Sequence, residues 1–441
     1  MRAGSFGNAA VNNLSTRDKI AVGFSISVSF VVLVVLVIAT VNRDFHILLT
    51  SQNRPVYPIT IYSILPVPGT SPHGSAQGVA GADFSQVYFA ALALRHGESA
   101  YRPTTPAFRD PFGRLSGYPP LTNWLYVPIT LLPYRNALLV HTVVTLFGLL
   151  AVSFVLLRNT GLSRHCWHVF LAMSGLYLLT PIGLTHFERG QFDLLVATAV
   201  LLCLSCVFLE RDRWALAVGA GLLGTLKWTS VPFLCCYSAL GFMFDTKLRR
   251  WAFLGIPMAM VLGTFAFWPS LREYWATIRM YEIDARPYGL TLQHFLPRWP
   301  AKIVPLAFTC AMGSLILFAG PSSEARARLF RSISVPFALA LLNVTVCFGT
   351  LSYEYHTVST LGMIPAVVVW TVREPWVSDR VKALTCGCFG GFLCVAFRVL
   401  APLKWFNPAA MTKAYFFSAL VFLGVCAYIV TVNKWRPSND A

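Results

Sequence analysis

The sequence predicts an all-α, polytopic membrane protein with about twelve transmembrane helices and a long first outer loop carrying interfacial helices. Three observations lead there. Charged residues make up only 12% of the chain, about half of the ~25% usual in soluble domains. Hydrophobic residues make up 56%, gathered in runs close to the ~20 residues that span a bilayer. Short basic turns separate the runs, and the net charge is +17. In a soluble chain that excess would suggest nucleic acid. Here basic loops facing anionic lipid account for it, and the chain lacks the basic-aromatic platform outside its spans that nucleic-acid binding requires.

The first apolar run, 20–41, follows Arg17 and Lys19. It is longer than an ordinary signal-peptide core, and the "VNRDFH" after it is no small-residue cleavage site. It therefore reads as a retained first span. Loop 42–136 comes next and has structure of its own. Phe84, Val87, Tyr88, Ala91 and Leu94 recur at helical spacing, and Gly97 ends that helix from the C′ position. A second helix begins at Pro119–Pro120, because proline suits a first turn. It runs through "LTNWLYV", with Trp124 and Tyr126 at interface depth. Both read as helices lying on the bilayer surface. Between them, "YRPTTPAFRDPFGRLSGYPP" is rich in proline and glycine and carries Arg102, Arg109, Asp110 and Arg114.

Further spans are expected at 137–157, 167–184, 192–209, 214–226, 228–244, 251–268, 301–319, 333–351, 358–372, 383–400 and 414–432, three of them short. No internal repeat is evident, so the chain reads as one membrane domain: span 20–41, outer loop 42–136, and remaining spans over 137–432. With the N-terminus inside, the inner turns hold 18 of the 35 Lys and Arg residues, against ten on the outer segments other than loop 42–136. That bias puts both termini in the cytoplasm. The outer surplus, including Arg272, Arg279, Arg286 and Arg298 near His294, suits anionic ligand groups. The eleven cysteines lie in or beside apolar segments, which argues against a disulfide framework or a zinc site.

The candidate chemical residues gather at the outer ends of the spans. Asp83 reads either as a helix N-cap, with Gln86 completing a capping box, or as a general base for an acceptor hydroxyl. One role does not exclude the other. In "GYPPLTNW", Tyr118 offers a stacking ring and a hydroxyl. "THFERGQFDLL" sets His186, Glu188, Arg189, Gln191 and Asp193 between two apolar runs, where ionisable groups are functional candidates by default. The alternative is an outer turn with a Glu188–Arg189 surface pair. "GTLKWTSVPF" holds Lys227 between two short helices, at a cost of roughly 2.5–3.5 kcal/mol that a phosphate partner would offset, or that snorkelling would avoid. "TLSYEYHTVSTLGMIP" carries Glu354 and His356, either a phosphate contact or an interfacial belt. Phosphate-loop, zinc-protease and serine-hydrolase motifs are missing from any credible context.

Taken in order, "GADFSQVYFAA", "YPPLTNWLYVP", "ERGQFDLLV", "GTLKWTSVPFL" and "SYEYHTVSTLGMIP" resemble glycosyltransferase family 87, of the membrane GT-C superfamily, over about residues 20–370. The resemblance implies a GT-C fold and a mannosyltransferase that uses a polyprenyl-phosphate sugar, with no cofactor and no metal. Asp83 corresponds to the catalytic base, and Lys227, Arg189 and His356 to cations around the donor phosphate. Tyr118, Glu188, Gln191 and Glu354 are then the substrate-binding candidates. The acceptor would be a lipid or glycan, and the reaction would invert the sugar at the outer face of the cell (inner) membrane, among membrane lipid. Asp83, Lys227, Arg189 and His356 should then line one outward cavity. Two rival readings are a transporter or flippase for a lipid-linked or small polar substrate, and a non-enzymatic subunit of an envelope complex.

Overall fold

The computed structural model describes residues 81–434, apart from 112, 161–169, 172, 176, 179, 210–211, 247–248, 280–287, 350, 353 and 398–407. The expected first span, 20–41, lies outside the described residues. The described chain is helical, with one pair of two-residue strands: Tyr288–Gly289 runs parallel to Leu351–Ser352.

The loop ahead of the bundle forms two helices, as its periodicity predicts. Helix α1, Ala82–Arg95, ends where expected: Gly97 takes a left-handed φ of 78°, the Glu98 amide donates to the Ala93 carbonyl and the Gly97 amide to that of Leu94. This is the bond pair of a glycine C-cap. The start differs from expectation. Gly81, also left-handed, is the N-cap, and Asp83 is the second residue inside the helix with no capping bond. Gln86 does reach Asp83, but side chain to side chain, at 3.3 Å. Capping is therefore not what holds Asp83. Helix α2, Pro120–Leu125, begins at the proline.

The bundle follows as α3 (Tyr134–Asn159), α4 (Pro181–Arg189), α5 (Asp193–Phe208), α6 (Arg213–Leu226), α7 (Val231–Phe244), α8 (Arg250–Phe265), α9 (Trp268–Ile278), α10 (Arg298–Ala319), α11 (Ser323–Val346), α12 (Met363–Arg373), α13 (Asp379–Ala396) and α14 (Pro408–Lys434). Among the described residues, α3, α10, α11 and α14 are long and apolar enough to cross a membrane. A fifth crossing results if α8 and α9, bent by 93° at their junction, count as one broken span. Helices α5, α6 and α7 are apolar but shorter. Two expected spans are shifted. The run read as 333–351 belongs to α11, which starts at Ser323, and 358–372 divides into a 3-10 helix, Glu354–Gly362, and then α12.

Burial sorts the helices into layers. Helix α11 is enclosed almost along its whole length and α5 on every face, whereas α3 exposes most of its apolar surface. An apolar helix that leaves its side chains uncovered by protein is suited to lipid. The enclosed pair forms the axis of the bundle. Helix α5 starts at the same end at which α6 and α11 finish and α7 starts. Lys227 makes the α6–α7 break: its extended backbone, φ −146° and ψ 111°, ends α6. Two carbonyls left over by that break find hydroxyl donors, Thr122 to Leu226 at 2.7 Å and Ser230 to Gly224 at 3.2 Å. Satisfying orphan carbonyls at a buried helix end makes the break tolerable. It also fastens α2 beside Lys227. Helices α1, α2 and α4 cover this end of the bundle, and the candidate residues meet beneath them.

Candidate active site

Five of the eight predicted residues, Asp83, Arg189, Gln191, Lys227 and His356, join one buried hydrogen-bonded network. The tight turn between α4 and α5 makes this possible. Gly190 sits at φ 63°, and a Cβ there would lie 2.6 Å from Cβ of Phe84 and 3.3 Å from the Gly81 backbone. Only a bare backbone fits, so the turn presses onto α1 and brings Arg189 against Asp83. The Gly190→Ala variant should lose about 1–3 kcal/mol of stability, from the left-handed φ and the clash together. A denaturant titration unchanged from wild type would show that the close approach is unnecessary.

Asp83 is buried, and four side chains donate to its carboxylate. Arg189 binds both oxygens, one of them at 2.9 Å from Nη2. Gln191 Nε2 donates to Oδ2. Arg114 Nη1 lies 3.2 Å from Oδ1 and Gln86 completes the set. Burial by itself would push the carboxyl up. The Arg189 guanidinium, through its charge and its hydrogen bonds, together with Arg114 and Lys227 outweighs this, and the pKa is held down to about 2.

A second carboxylate lies across Gln191. Asp193, at the first turn of α5, accepts from Lys227 Nζ at 2.8 Å and from His356 Nδ1 at 2.9 Å. His186 Nδ1 is 3.8 Å away. His356 Nδ1 also lies 3.2 Å from Lys227 Nζ. One nitrogen cannot both donate to Asp193 and accept from Lys227, so the shorter contact assigns the proton to Nδ1, facing Asp193. Contact between His356 and a substrate would then use Nε2. Gln191 joins the two centres, donating to Asp83 and accepting from Lys227 at 3.0 Å. His141 on α3 fixes the Gln191 backbone through its carbonyl, 3.2 Å from Nε2, while Nδ1 accepts from Tyr126 Oη at 2.6 Å.

Tyr118 is buried beside this network, its ring centroid 4.7 Å from that of Phe192, between Gln191 and Asp193. The side chains of Glu188 and Glu354 lie outside the described residues.

Sequence reasoning assigned no role to Arg114, Asp110 or His141, and named Asp193 only as one of the ionisable candidates of its motif. A signal existed for Asp193, a carboxylate opening an apolar run. For Arg114 the only hint was its i,i+4 spacing from Asp110. The two are paired at 2.9 Å, and Asp110 also accepts from Ser85 at 2.5 Å. The network thus carries three carboxylates (Asp83, Asp110, Asp193) facing three cations (Arg114, Arg189, Lys227). Neutral bookkeeping of this kind lets charges stay buried.

The expected outward cavity departs from expectation. A hollow of about 420 Å³ does open beside Asp83. However, it lies between α1 and the 100–116 segment, and Gln86, Arg102, Phe108, Arg109, Arg114 and Ser116 are among its lining residues. None of the four expected residues is among them: Asp83 lies behind Gln86 and Arg114, and Lys227, Arg189 and His356 sit behind Asp83, turned toward the buried carboxylates.

Fold and site together define a helical membrane protein with a charge-paired polar centre sealed into one end of its bundle. The profile of glycosyltransferase family 87 matches residues 117–351, more than half of the chain, and the chain belongs to that family of glycosyltransferases. The match takes in Tyr118, Arg189, Gln191, Asp193 and Lys227, whereas Asp83 precedes it and His356 follows it by five residues. Neither a curated protein nor a solved structure matches the chain.

Proposed function

We propose that this chain transfers a sugar, mannose by the family resemblance, from a polyprenyl-phosphate donor to a lipid or glycan acceptor, with inversion, at the outer face of the inner membrane. The observation that carries the reading is the single network joining Asp83, through Gln191, to Lys227 and His356. A base and a set of cations held within one network is what displacement at an anomeric carbon requires. Asp83 takes the proton of the acceptor hydroxyl. The acceptor oxygen forms the new bond to the anomeric carbon as the bond to the phosphate oxygen breaks, and polyprenyl phosphate leaves carrying the electron pair. Arg189 and Lys227 stabilise that departing charge, and His356 adds to them when its ring carries a proton on both nitrogens.

A carboxylate clamped by two guanidiniums is a weak base, since the best proton acceptor has a pKa near the working pH. Substrate binding resolves this. A donor phosphate that engages Arg189 draws it from Asp83 and raises the basicity of the carboxylate. Arg114 acts in the same direction, which gives a pH prediction. Asp83 in the free enzyme stays ionised until the pH falls toward about 2. Replacing Arg114 by Gln removes a positive neighbour, favours the protonated carboxyl and raises its pKa. The acid limb of the kcat/KM profile should therefore move to higher pH in Arg114→Gln. A limb left in place, or moved lower, contradicts the pairing.

The decisive experiment is purified full-length protein in lipid nanodiscs with synthetic polyprenyl-phosphate-mannose. Release of polyprenyl phosphate above the protein-free rate is expected. Failure to turn over this donor, while a polyprenyl-diphosphate sugar is consumed, would refute the donor class.

A further inference from the structure

The end of the bundle opposite Lys227 carries a second concentration of charge. Helices α5 and α7 finish there and α6, α8 and α11 start there, and the basic-residue bias assigns this end to the cytoplasm. We propose that Arg213, Arg249 and Arg331 form a binding site there for a phosphate-bearing anion, whether carried by an acidic phospholipid of the inner leaflet or free in solution as a phosphate ester. The inference is independent of the role given to Asp83.

Unpartnered donors are the first argument. Arg213 opens α6 and is only 6% exposed. Its Nε donates to the Leu209 carbonyl at the end of α5, but Nη1 and Nη2 have no hydrogen-bond partner among the described residues. Oδ2 of Asp245, at the end of α7, lies 3.8 Å from Nη1 and is likewise unpartnered. Arg331 on α11 stands off in the same way, its Nη2 3.8 Å from Asp245 Oδ1 and its Nε without a partner. Buried polar side-chain atoms are mostly bonded, so a group of orphans around one carboxylate asks for an acceptor.

Charge is the second. Asp245 is shared by Arg213 and Arg331, and Arg249 adds its charge to the same region. Oδ1 of Asp245 also accepts from the Thr246 amide at 2.8 Å. Glu374 lies within electrostatic reach of Arg331 and Lys382, and accepts from Ser332 Oγ at 3.1 Å. Lys382 is also 3.9 Å from the exposed Asp379. Asp212, beside Arg213 in the chain, is exposed to solvent. Three arginines therefore meet one carboxylate of their own and a share of a second, whereas the network around Asp83 balances three against three. A small rotation that closed the Arg213–Asp245 gap would leave this surplus in place. Buried positive charge is costly until an anion meets it, and the guanidinium fork matches phosphate in charge and geometry.

Depth is the third. Helix α5 has 16 residues, which at 1.5 Å per residue puts about 24 Å between Asp193 and this end. A hydrocarbon core is about 30 Å thick. With the Asp83 network near the outer boundary, the arginines fall near the inner one, where phospholipid phosphates lie. Trp214 and Trp251, both exposed, stand at the starts of α6 and α8, and exposed tryptophans mark that boundary. An anion held there would join α6, the α7–α8 turn and α11.

The test uses full-length protein in nanodiscs of equimolar dioleoyl-phosphatidylcholine and dioleoyl-phosphatidylglycerol, with native mass spectrometry counting the lipids each chain retains. Wild type should retain phosphatidylglycerol about tenfold or more over phosphatidylcholine, as charge-assisted bonds to arginine imply. In Arg249→Gln/Arg331→Gln the enrichment should fall below about threefold, because two of the three forks are gone. Arg213→Lys should keep part of it, since charge survives while the fork is lost. Arg328→Gln removes an exposed charge from α11 outside the cluster and should leave the enrichment unchanged. A second arm offers glycerol 3-phosphate to protein in phosphatidylcholine alone. Retention of that ester gives the site to a free phosphate, and enrichment of phosphatidylglycerol without it gives the site to lipid. Equal retention of the two lipids, with no glycerol 3-phosphate bound, overturns the proposal. So does an enrichment that survives the double Gln variant, or one that Arg328→Gln abolishes equally, which would reduce it to the general attraction of a basic face. Thermal unfolding in phosphatidylcholine is followed for every variant. Should the double variant fail to fold, Arg249→Gln alone, at a half-buried position, carries the same expected loss of enrichment in smaller degree, and an unchanged enrichment there overturns the proposal.

Discussion

Asp83→Asn lowers donor turnover about 10²–10⁴-fold, the range for losing a positioned general base. The same change has a structural cost that must be separated from chemistry. Asn cannot balance Arg189 and Arg114, and its amide would face the donating Nε2 of Gln191. Removing one partner of a buried pair costs about 3–5 kcal/mol. The control is Asp83→Asn/Arg114→Gln, which removes one charge of each sign. Stability should largely return in the double variant, since the network is again neutral, but turnover should not. Asp83→Glu, which keeps the charge and shifts the oxygens by one methylene, should lie between wild type and Asn. Recovery of turnover together with stability in the double variant would reduce Asp83 to a structural partner of two arginines.

The second large effect is at Lys227. Its ammonium donates to Gln191 and Asp193 and lies against His356. Lys227→Met leaves Asp193 buried without its main counter-ion, and about 3–5 kcal/mol of stability should be lost. Lys227→Met/Asp193→Leu removes both charges and should recover most of that loss, because well-packed apolar replacements of buried pairs are commonly neutral or better. Donor turnover should stay low in both variants if Lys227 faces the phosphate during reaction. A double variant that is stable and active would show the Lys227–Asp193 pair to be packing alone. The outcome matters because Lys227 is engaged entirely with protein groups in this structure. A donor phosphate must compete with Asp193 for it, and the displaced carboxylate keeps His356.

Much of this architecture was legible in local patterns. Proline at position 120 and glycine at position 97 fixed a helix start and a helix end, because such signals act through the φ of the residue itself and through nearest-neighbour hydrogen bonds. Lys227 was recognisable as a break, because a lone ammonium between apolar runs has few tolerable environments. The Asp83 cap reading failed for an equally local reason: Gly81, two residues earlier, adopts the left-handed conformation and takes the cap position. Gly190 was quoted only as a motif letter, since its necessity comes from Phe84, more than 100 residues away.

By itself, the sequence determined the helical membrane class, most helix positions, and which ionisable side chains lie at helix ends. Those properties follow from apolar run length and backbone propensity, which act over a few residues. Only the tertiary structure decided the pairing: Asp83 with Arg189 and Arg114, Asp193 with Lys227 and His356, and Gln191 between them. A buried charge chooses its partner by distance and by the removal of water. Both are set by how α1, α4, α5, the α6–α7 break and the 3-10 helix pack together, and no pattern along the chain encodes those distances.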